Sequence, residues 1–257
     1  MATDPLTVVR LDEGALWRVT IGGSKGNVLD AAVMEALTGL FRSAAASPHL
    51  KAICLEGQGA HFSFGASVPE HLPPLVGAML PRFHGVLLAM LDSAVPVLAA
   101  VRGQCLGGGL ELVSLCHQVF ATRDARLGQP EILLGVFAPI ASLVLADRVG
   151  RGAAEDLCLS GRSVTADEAL AVRLVDQVVD GDPAAAAIEW ARAYLVPKSA
   201  SSLRYAVRAS RAALRARLAA ELPAIERLYL DGLMSTADAV EGLSAFVERR
   251  PAVWRDA

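Results

Sequence analysis

Two glutamates in this 257-residue chain stand where a carboxyl group could exchange protons with a bound molecule. Glu111 follows the glycine run Gly107 to Gly109, and Glu131 follows Gly128-Gln129-Pro130. Successive glycines at the start of a helix let a ligand approach the backbone, while the N–H groups of the first turn stay free. Such N–H groups favour developing negative charge. The pattern therefore indicates an acid/base pair beside an oxyanion hole.

A third segment could supply a second backbone donor. In the run Phe62 to Ser67, the Gly65-Ala66 pair allows a sharp turn that leaves an N–H group without an acceptor. These features also have ordinary structural explanations. A glutamate in a first helical turn often only interacts with the helix dipole, and a glycine run often serves close packing. The residues by themselves leave both explanations open.

The elements that must position these residues alternate between strands and helices. Asp30 is typical of an N-cap, a helix begins within the glycine run, and Thr165 to Glu168 form a capping-box pattern. Beyond about residue 180 only helical periodicity is present, so we predict an α/β fold with a helical C-terminal extension. The predicted strands are Thr7–Leu11, Trp17–Ile21, Ala52–Leu55, Val95–Val101 and Gln118–Ala121. The other predicted helices are a proline-interrupted one over Pro69–Met90, then Pro183–Tyr194, Ser199–Ala220 and Thr236–Val247.

Composition excludes several classes of protein. The chain is 53% hydrophobic and 20% charged with a net charge of −3, which opposes disorder and provides no electrostatic footprint for nucleic acid. The longest uncharged stretch, residues 132–146, is shorter than the roughly 18 residues of a membrane-spanning helix. The N-terminus lacks a signal-peptide pattern. We therefore expect a cytoplasmic protein without a nucleic-acid or membrane partner.

Cysteine and histidine spacing predicts no metal site and no disulfide. No two cysteines are closer than 11 positions, which excludes a Cys-x-x-Cys pair and favours buried, reduced thiols. The cysteines are Cys54, Cys105, Cys116 and Cys158. The histidines with no assigned chemistry, expected to be structural or to line a pocket, are His61, His71, His84 and His117.

The run Gly22 to Gly26 fits the Gly-x-Ser-x-Gly string of a serine hydrolase. A hydrolase of that kind needs a histidine late in the chain, and none follows His117. We therefore reject the hydrolase interpretation. Three aromatic side chains near the chemistry-bearing segments, Phe62, Phe64 and Phe137, are expected in the core more than in contact with a substrate.

The three segments together resemble the crotonase (enoyl-CoA hydratase/isomerase) superfamily over nearly the whole chain. The resemblance rests on Phe64-Gly65-Ala66, on Val101 to Leu112 and on Leu127 to Gly135. It implies a spiral of β-β-α units over residues 1–195. It also implies that the helices of residues 196–257 join subunits into trimers, which pair into hexamers.

The resemblance also assigns roles to individual residues. The N–H groups of Ala66 and Gly108 match the oxyanion hole for a thioester carbonyl. Glu111 and Glu131 match the two catalytic glutamates of the hydratases, and we expect Glu131 to donate the proton and Glu111 to orient and deprotonate water. The substrate is an acyl-CoA thioester, so no separate cofactor and no metal is expected. The other residues expected at the substrate are Lys25, Gly65, Ser67, Gly107 and Phe137.

Departures from the family pattern bear on the substrate. Many members carry aspartate where Ser67 stands, and many hydratases have a glycine-rich segment in place of Phe137 to Ser142, which shapes the acyl pocket. The runs His61 to Leu72, Gly135 to Pro139 and Ala200 to Tyr205 are instead similar to the branch that hydrates cyclohexa-1,5-diene-1-carbonyl-CoA in aromatic-acid degradation. That branch implies 1,4-addition of water, giving 6-hydroxycyclohex-1-ene-1-carbonyl-CoA.

Two other functions stay open at this point. One is hydration or isomerisation of a straight-chain enoyl-CoA. The other is a noncatalytic acyl-CoA-binding scaffold, against which the presence of both Glu111 and Glu131 argues.

Overall fold

A six-stranded sheet forms the framework of the protein. The structure is a computed structural model, and it describes residues 4–257. The strand order is β1-β2-β3-β4-β6-β9; β1 and β2 are antiparallel, and the remaining neighbours are parallel. Its strands are β1 (Leu6–Leu11), β2 (Leu16–Ile21), β3 (Ala52–Gly57), β4 (Val97–Val101), β6 (Gln118–Thr122) and β9 (Gln177–Val179). The signal-peptide argument rests partly on residues 1–3, which lie outside the described residues.

A second, smaller sheet consists of β5 (Gln104–Leu106), β7 (Arg126–Gly128) and β8 (Ser163–Thr165). Two successive turns of the chain place one strand in the large sheet and the next in the small sheet. Thus β4 leads to β5 and then to helix α3 (Gly108–Ser114), and β6 leads to β7 and then to a 3₁₀ turn (Pro130–Leu134). This repetition is the predicted spiral of β-β-α units.

The helices cover the sheets and follow the predicted order. The remaining helices are α1 (Ala31–Ala45), α2 (Val76–Ser93), α4 (Pro139–Val149), α5 (Arg151–Ser160), α6 (Ala166–Ala171), α7 (Pro183–Tyr194), α8 (Ala200–Arg227) and α9 (Ala237–Glu248). Asp30 caps α1 by accepting the Val33 N–H, and Thr165 with Glu168 forms the capping box of α6, as predicted.

The interruption predicted for the helix over Pro69–Met90 is present at Pro73-Pro74, but the predicted start at Pro69 and a break at Pro81 were wrong. Val68–His71 form a separate 3₁₀ turn, and α2 begins only at Val76. The Pro73-Pro74 pair lies between them, and proline lacks the N–H that a continuous helix needs. Pro81, by contrast, lies within α2.

The core lies at the centre of the large sheet. Every residue of β3 and β4 is buried, because helices cover both faces of these parallel strands. All seven residues of α3 are buried as well, so the helix that carries Glu111 is fixed on all sides. Cys54, Cys105 and Cys116 are buried free thiols, as expected, whereas Cys158 is only half-buried.

The C-terminal part of the described chain is helical. No strand follows β9, and α8 extends through Arg227, seven residues further than its predicted end at Ala220. No helix within residues 4–257 combines the length and the apolar character that crossing a membrane requires.

Candidate active site

A cavity of about 60 Å³ lies at the N-terminal end of α3. Its walls come from α2, α3, the Pro130–Leu134 turn, the start of α4 and, through Leu243, α9. Seven of the nine site residues predicted from the sequence line it, namely Gly65, Ala66, Gly107, Gly108, Glu111, Glu131 and Phe137. Lys25 and Ser67 do not: Lys25 is exposed, and Ser67 instead accepts a hydrogen bond from His71 at its carbonyl.

Two backbone N–H groups face each other across the cavity. Those of Ala66 and Gly108 have no hydrogen-bond acceptor within residues 4–257. A methyl group added at Gly108 would lie 3.2 Å from the Ala66 nitrogen, so the two donors border one small space. Gly65 makes the turn that exposes the Ala66 N–H. Its backbone has φ +94°, a conformation that residues other than glycine rarely adopt. Two converging donors of this kind can bind an oxygen that acquires negative charge.

The Glu111 carboxylate is held by the backbone of another helix. Its Oε1 accepts the N–H of Ala141 at 2.9 Å, in the first turn of α4. Because α4 has no side-chain cap of its own at Ala138, Glu111 supplies the missing acceptor. Burial raises the pKa of Glu111 to about 7, against the opposing effect of the Ala141 and Ile140 N–H groups.

The Glu131 carboxyl lies beside the helix start without a backbone donor from another element. A methyl group at Gly107 would lie 2.7 Å from Oε1 of Glu131, so only glycine allows this approach. Burial, and next to it the charge of Glu111, raise the pKa of Glu131 to about 8. Glu131 is half-buried because its carboxyl lines the cavity.

The fully buried Gln129 faces Glu131 and was not singled out from the sequence. With its amide nitrogen toward Glu131, Gln129 donates hydrogen bonds to Oε2 and Oε1 at 3.1 and 3.2 Å. Turned the other way, the amide oxygen can accept a hydrogen bond from the O–H of a protonated Glu131. Gln129 can therefore satisfy either protonation state of Glu131.

Together the two carboxyl groups hold about one proton near neutral pH. The pKa values of about 7 and about 8 leave Glu111 more readily ionised and Glu131 more readily protonated. The direction of this difference has two causes: the Ala141 and Ile140 N–H groups lower the pKa of Glu111, and the charge of Glu111 raises the pKa of Glu131. One group can then accept a proton while the other donates one, which is the requirement for adding water across a double bond.

The structure confirms some of the expected positions of the aromatic and histidine side chains near the cavity and corrects one. Phe62 is fully buried in the core, as predicted, but Phe64 is 45% exposed and lines the cavity, so its assignment to the core was wrong. His71 lines the cavity, as the pocket-lining alternative allowed. Its Nδ1 lies 2.8 Å from the Ser67 carbonyl, and burial lowers its pKa, so the ring is neutral with Nδ1–H donating.

Comparison with known proteins agrees with this geometry. The sequence model of the family described as enoyl-CoA hydratase/isomerase matches residues 13–257. The chain is 47% identical over 255 residues to the cyclohexa-1,5-dienecarbonyl-CoA hydratase of Thauera aromatica, covering 99% of this chain and 98% of the other. It is 35% identical to a probable enoyl-CoA hydratase of Rhizobium meliloti, covering 89% of this chain and 90% of that one.

The solved structures give the same result for the fold. An enoyl-CoA hydratase/isomerase from Pseudoalteromonas atlantica superposes with a TM-score of 0.87 over 97% of this chain and 99% of the other, at 25% identity. The α/β spiral, the paired carboxyl groups and the family match therefore agree, and this chain belongs to the enoyl-CoA hydratase/isomerase family.

Proposed function

We propose that the protein is a hydratase that adds water to a conjugated acyl-CoA, with cyclohexa-1,5-diene-1-carbonyl-CoA as its substrate. The observation that carries the reaction type is the pair Glu111 and Glu131 beside the free N–H groups of Ala66 and Gly108. The 47% identity to the Thauera hydratase over nearly the full length supports the ring substrate.

In this proposal the thioester carbonyl oxygen accepts hydrogen bonds from the Ala66 and Gly108 N–H groups. These donors stabilise the negative charge that forms on the oxygen when the conjugated system is attacked, and one such donor is typically worth ~2.7–4 kcal/mol of barrier. The space between them is too small for a side chain, which favours an oxygen atom over a larger group.

Glu111, ionised and fixed by Ala141, takes a proton from water as the water oxygen bonds to the carbon next to the carboxyl-bearing carbon. Glu131, protonated, gives its proton to the far end of the diene. The double bond that remains joins the two inner carbons of the former diene, the carboxyl-bearing carbon and its other ring neighbour, which yields 6-hydroxycyclohex-1-ene-1-carbonyl-CoA. Glu111 ends protonated and Glu131 ionised, so one proton passes back before the next cycle. Every proton comes from water or these carboxyl groups, and the reaction needs no separate cofactor.

The size of the cavity favours a second candidate, hydration of a straight-chain enoyl-CoA. At about 60 Å³ the cavity holds a water molecule but not a six-membered ring, since a cavity of ~150 Å³ is known to take benzene. A ring substrate therefore requires that side chains at the wall move. The noncatalytic scaffold is disfavoured because both carboxyl groups line the cavity.

The deciding experiment incubates the purified protein with cyclohexa-1,5-diene-1-carbonyl-CoA and, separately, with crotonyl-CoA, and follows both by chromatography. We expect a higher kcat/KM for the ring substrate and formation of the 6-hydroxy product. Preferential hydration of crotonyl-CoA would establish the straight-chain candidate instead. Turnover of neither substrate would support the scaffold interpretation.

We also propose that residues 196–257 join subunits into a trimer or a dimer of trimers. Large apolar side chains are exposed throughout this part of the chain, including Tyr205, Leu228, Phe246, Val253 and Trp254. Exposed apolar area of this extent is typical of contact surfaces between proteins. Light scattering on the purified protein tests the proposal, and a monomer at dilute concentration would overturn it.

A further inference from the structure

Tyr229 carries a polar group that no contact in the protein explains. The side chain is 1% exposed, and its hydroxyl oxygen is buried without a hydrogen-bond partner among residues 4–257. Leaving a buried hydroxyl unpaired costs about 1–3 kcal/mol, so such groups are rare and call for a reason. Tyr229 also lies in a single π-helical turn, Leu228–Gly232, a deformation found often at functional sites.

The position of Tyr229 connects it to the cavity. Its ring lies edge-on to Phe137, with 5.2 Å between the ring centroids, and Phe137 lines the cavity. Tyr229 itself does not line the cavity, so it lies one side chain behind the wall. Burial, and next to it the negative charges of Glu131 and Glu111, raise the pKa of the Tyr229 hydroxyl.

Accommodation of a ring requires this wall to move. Phe137 is only partly buried, whereas the helix that carries Glu111 is buried throughout, so Phe137 is the side chain that can give way. Displacement of Phe137 would open the cavity toward Tyr229, whose ring it contacts and whose hydroxyl has no partner to lose. A raised pKa keeps the hydroxyl protonated near neutral pH, so it can donate a hydrogen bond but not a proton.

We propose that the Tyr229 O–H is the hydrogen-bond donor to the oxygen that hydration adds to the substrate, first as water and then as the product hydroxyl. This inference rests on the proposed hydratase function. It assigns Tyr229 to recognition of the hydroxylated acyl group, and it explains why an unpaired polar group is kept directly behind Phe137. An acyl-CoA of the same shape that lacks the hydroxyl could not accept this hydrogen bond, so its affinity would not depend on the Tyr229 O–H.

Tyr229→Phe tests the proposal, because it removes only the hydroxyl and keeps the ring against Phe137. Binding is measured in a Glu131→Gln background, so that ligands do not turn over. The probes are 6-hydroxycyclohex-1-ene-1-carbonyl-CoA and cyclohex-1-ene-1-carbonyl-CoA, which lacks the hydroxyl. We expect Tyr229→Phe to weaken binding of the hydroxylated probe about five- to tenfold and to leave that of the other probe unchanged. Tyr194→Phe, at an exposed tyrosine of α7 outside residues 196–257, is the matched control and should change neither.

Thermal unfolding of the free protein provides a second readout. Since the hydroxyl is unpaired in the free protein, Tyr229→Phe should leave the Tm unchanged or raise it. A lower Tm, or an equal loss of affinity for both probes, would show a structural role and overturn the proposal, as would unchanged affinity for both. These results can be told apart from those of the turnover assay. If the wild-type protein fails to hydrate the ring substrate, the proposed function is wrong. If the wild-type protein is active but Tyr229→Phe binds both probes as tightly as before, only the role of Tyr229 is wrong.

Discussion

Glu111 and Glu131 line the same cavity, yet they are held in opposite ways. Glu111 lies on a helix in which every residue is buried, and the Ala141 N–H fixes its carboxylate. Glu131 lies on a five-residue 3₁₀ turn that includes the exposed Leu133, and its one assigned partner is the Gln129 amide. In the proposed mechanism this difference separates a fixed base, Glu111, from an acid that can adjust its position, Glu131. An acid that must reach the far end of a ring needs that freedom more than a base that holds water.

The largest effect is expected from neutralising either carboxyl group. Glu111→Gln and Glu131→Gln should each lower kcat by about 10²- to 10⁴-fold, because each removes one partner of the proton transfer. The KM should change much less. Steady-state kinetics on the preferred substrate measure both, with Glu35→Gln, at an exposed position of α1, as the control. Full activity in either variant would show that the pair does not perform the proton transfers.

Blocking the two backbone donors, the N–H groups of Ala66 and Gly108, should also lower the rate. Gly108→Ala places a methyl group 3.1 Å from the Phe83 ring and 3.2 Å from the Ala66 nitrogen, where the thioester oxygen would bind. We expect kcat to fall about 10²- to 10³-fold. Gly39→Ala in α1 is the matched control, since no heavy atom lies within 4 Å of the added methyl. If Gly108→Ala retained normal kcat, the carbonyl would have to bind elsewhere.

The difference between the carboxyl groups should appear in the pH dependence of the rate. The proposed mechanism requires Glu111 ionised and Glu131 protonated, and their pKa values are raised to about 7 and about 8. We therefore expect a narrow bell-shaped profile of kcat/KM, with limbs that belong to the pair. The rate should fall about tenfold per pH unit outside it. A flat profile from pH 6 to pH 9 would contradict the assignment.

Stability should follow the same titration. Both carboxyl groups have pKa values above the ordinary value of 4.5, so the folded state binds more protons than the unfolded state between pH 4.5 and about 8. The free energy of unfolding should then decrease as pH rises through this range. Urea unfolding at pH 6 and pH 9 measures the decrease, and Glu131→Gln, which cannot ionise, should reduce it. An equal decrease in both proteins would place its origin outside Glu131.

The sequence could predict what is local and not what depends on contacts between distant segments. The Asp30 cap, the Thr165 capping box and the helix start at the glycine run follow from residues only a few positions apart. The bond from Ala141 to Glu111 joins segments 30 positions apart, and no periodicity signals it. The absence of a capping side chain at Ala138, ahead of Pro139, was the available hint that another element caps α4.

Family resemblance named most of the site but could not place every residue. Ala66, Gly108, Glu111 and Glu131 were assigned by motif and do line one cavity. Phe64 was assigned to the core because phenylalanine is usually buried, yet the turn at Gly65 directs it to the cavity mouth and 45% of it is exposed. Residue type gives a burial tendency, and only the local backbone decides which way a side chain faces.

The smallest expected effect isolates how each carboxyl group is held. Glu111→Ala removes the acceptor at the start of α4, and loss of a helix cap costs about 1 kcal/mol. Glu111→Gln keeps an oxygen that can accept the Ala141 N–H, so its free energy of unfolding should decrease less. Glu131→Ala removes no helix cap, because no backbone N–H of another element donates to Glu131 within residues 4–257. Its free energy of unfolding should therefore not decrease for this reason. Urea unfolding at pH 6 compares the three variants with Asp30→Ala, which removes the cap of α1. If Glu131→Ala lost as much stability as Glu111→Ala, the contrast between a fixed base and an adjustable acid would be wrong.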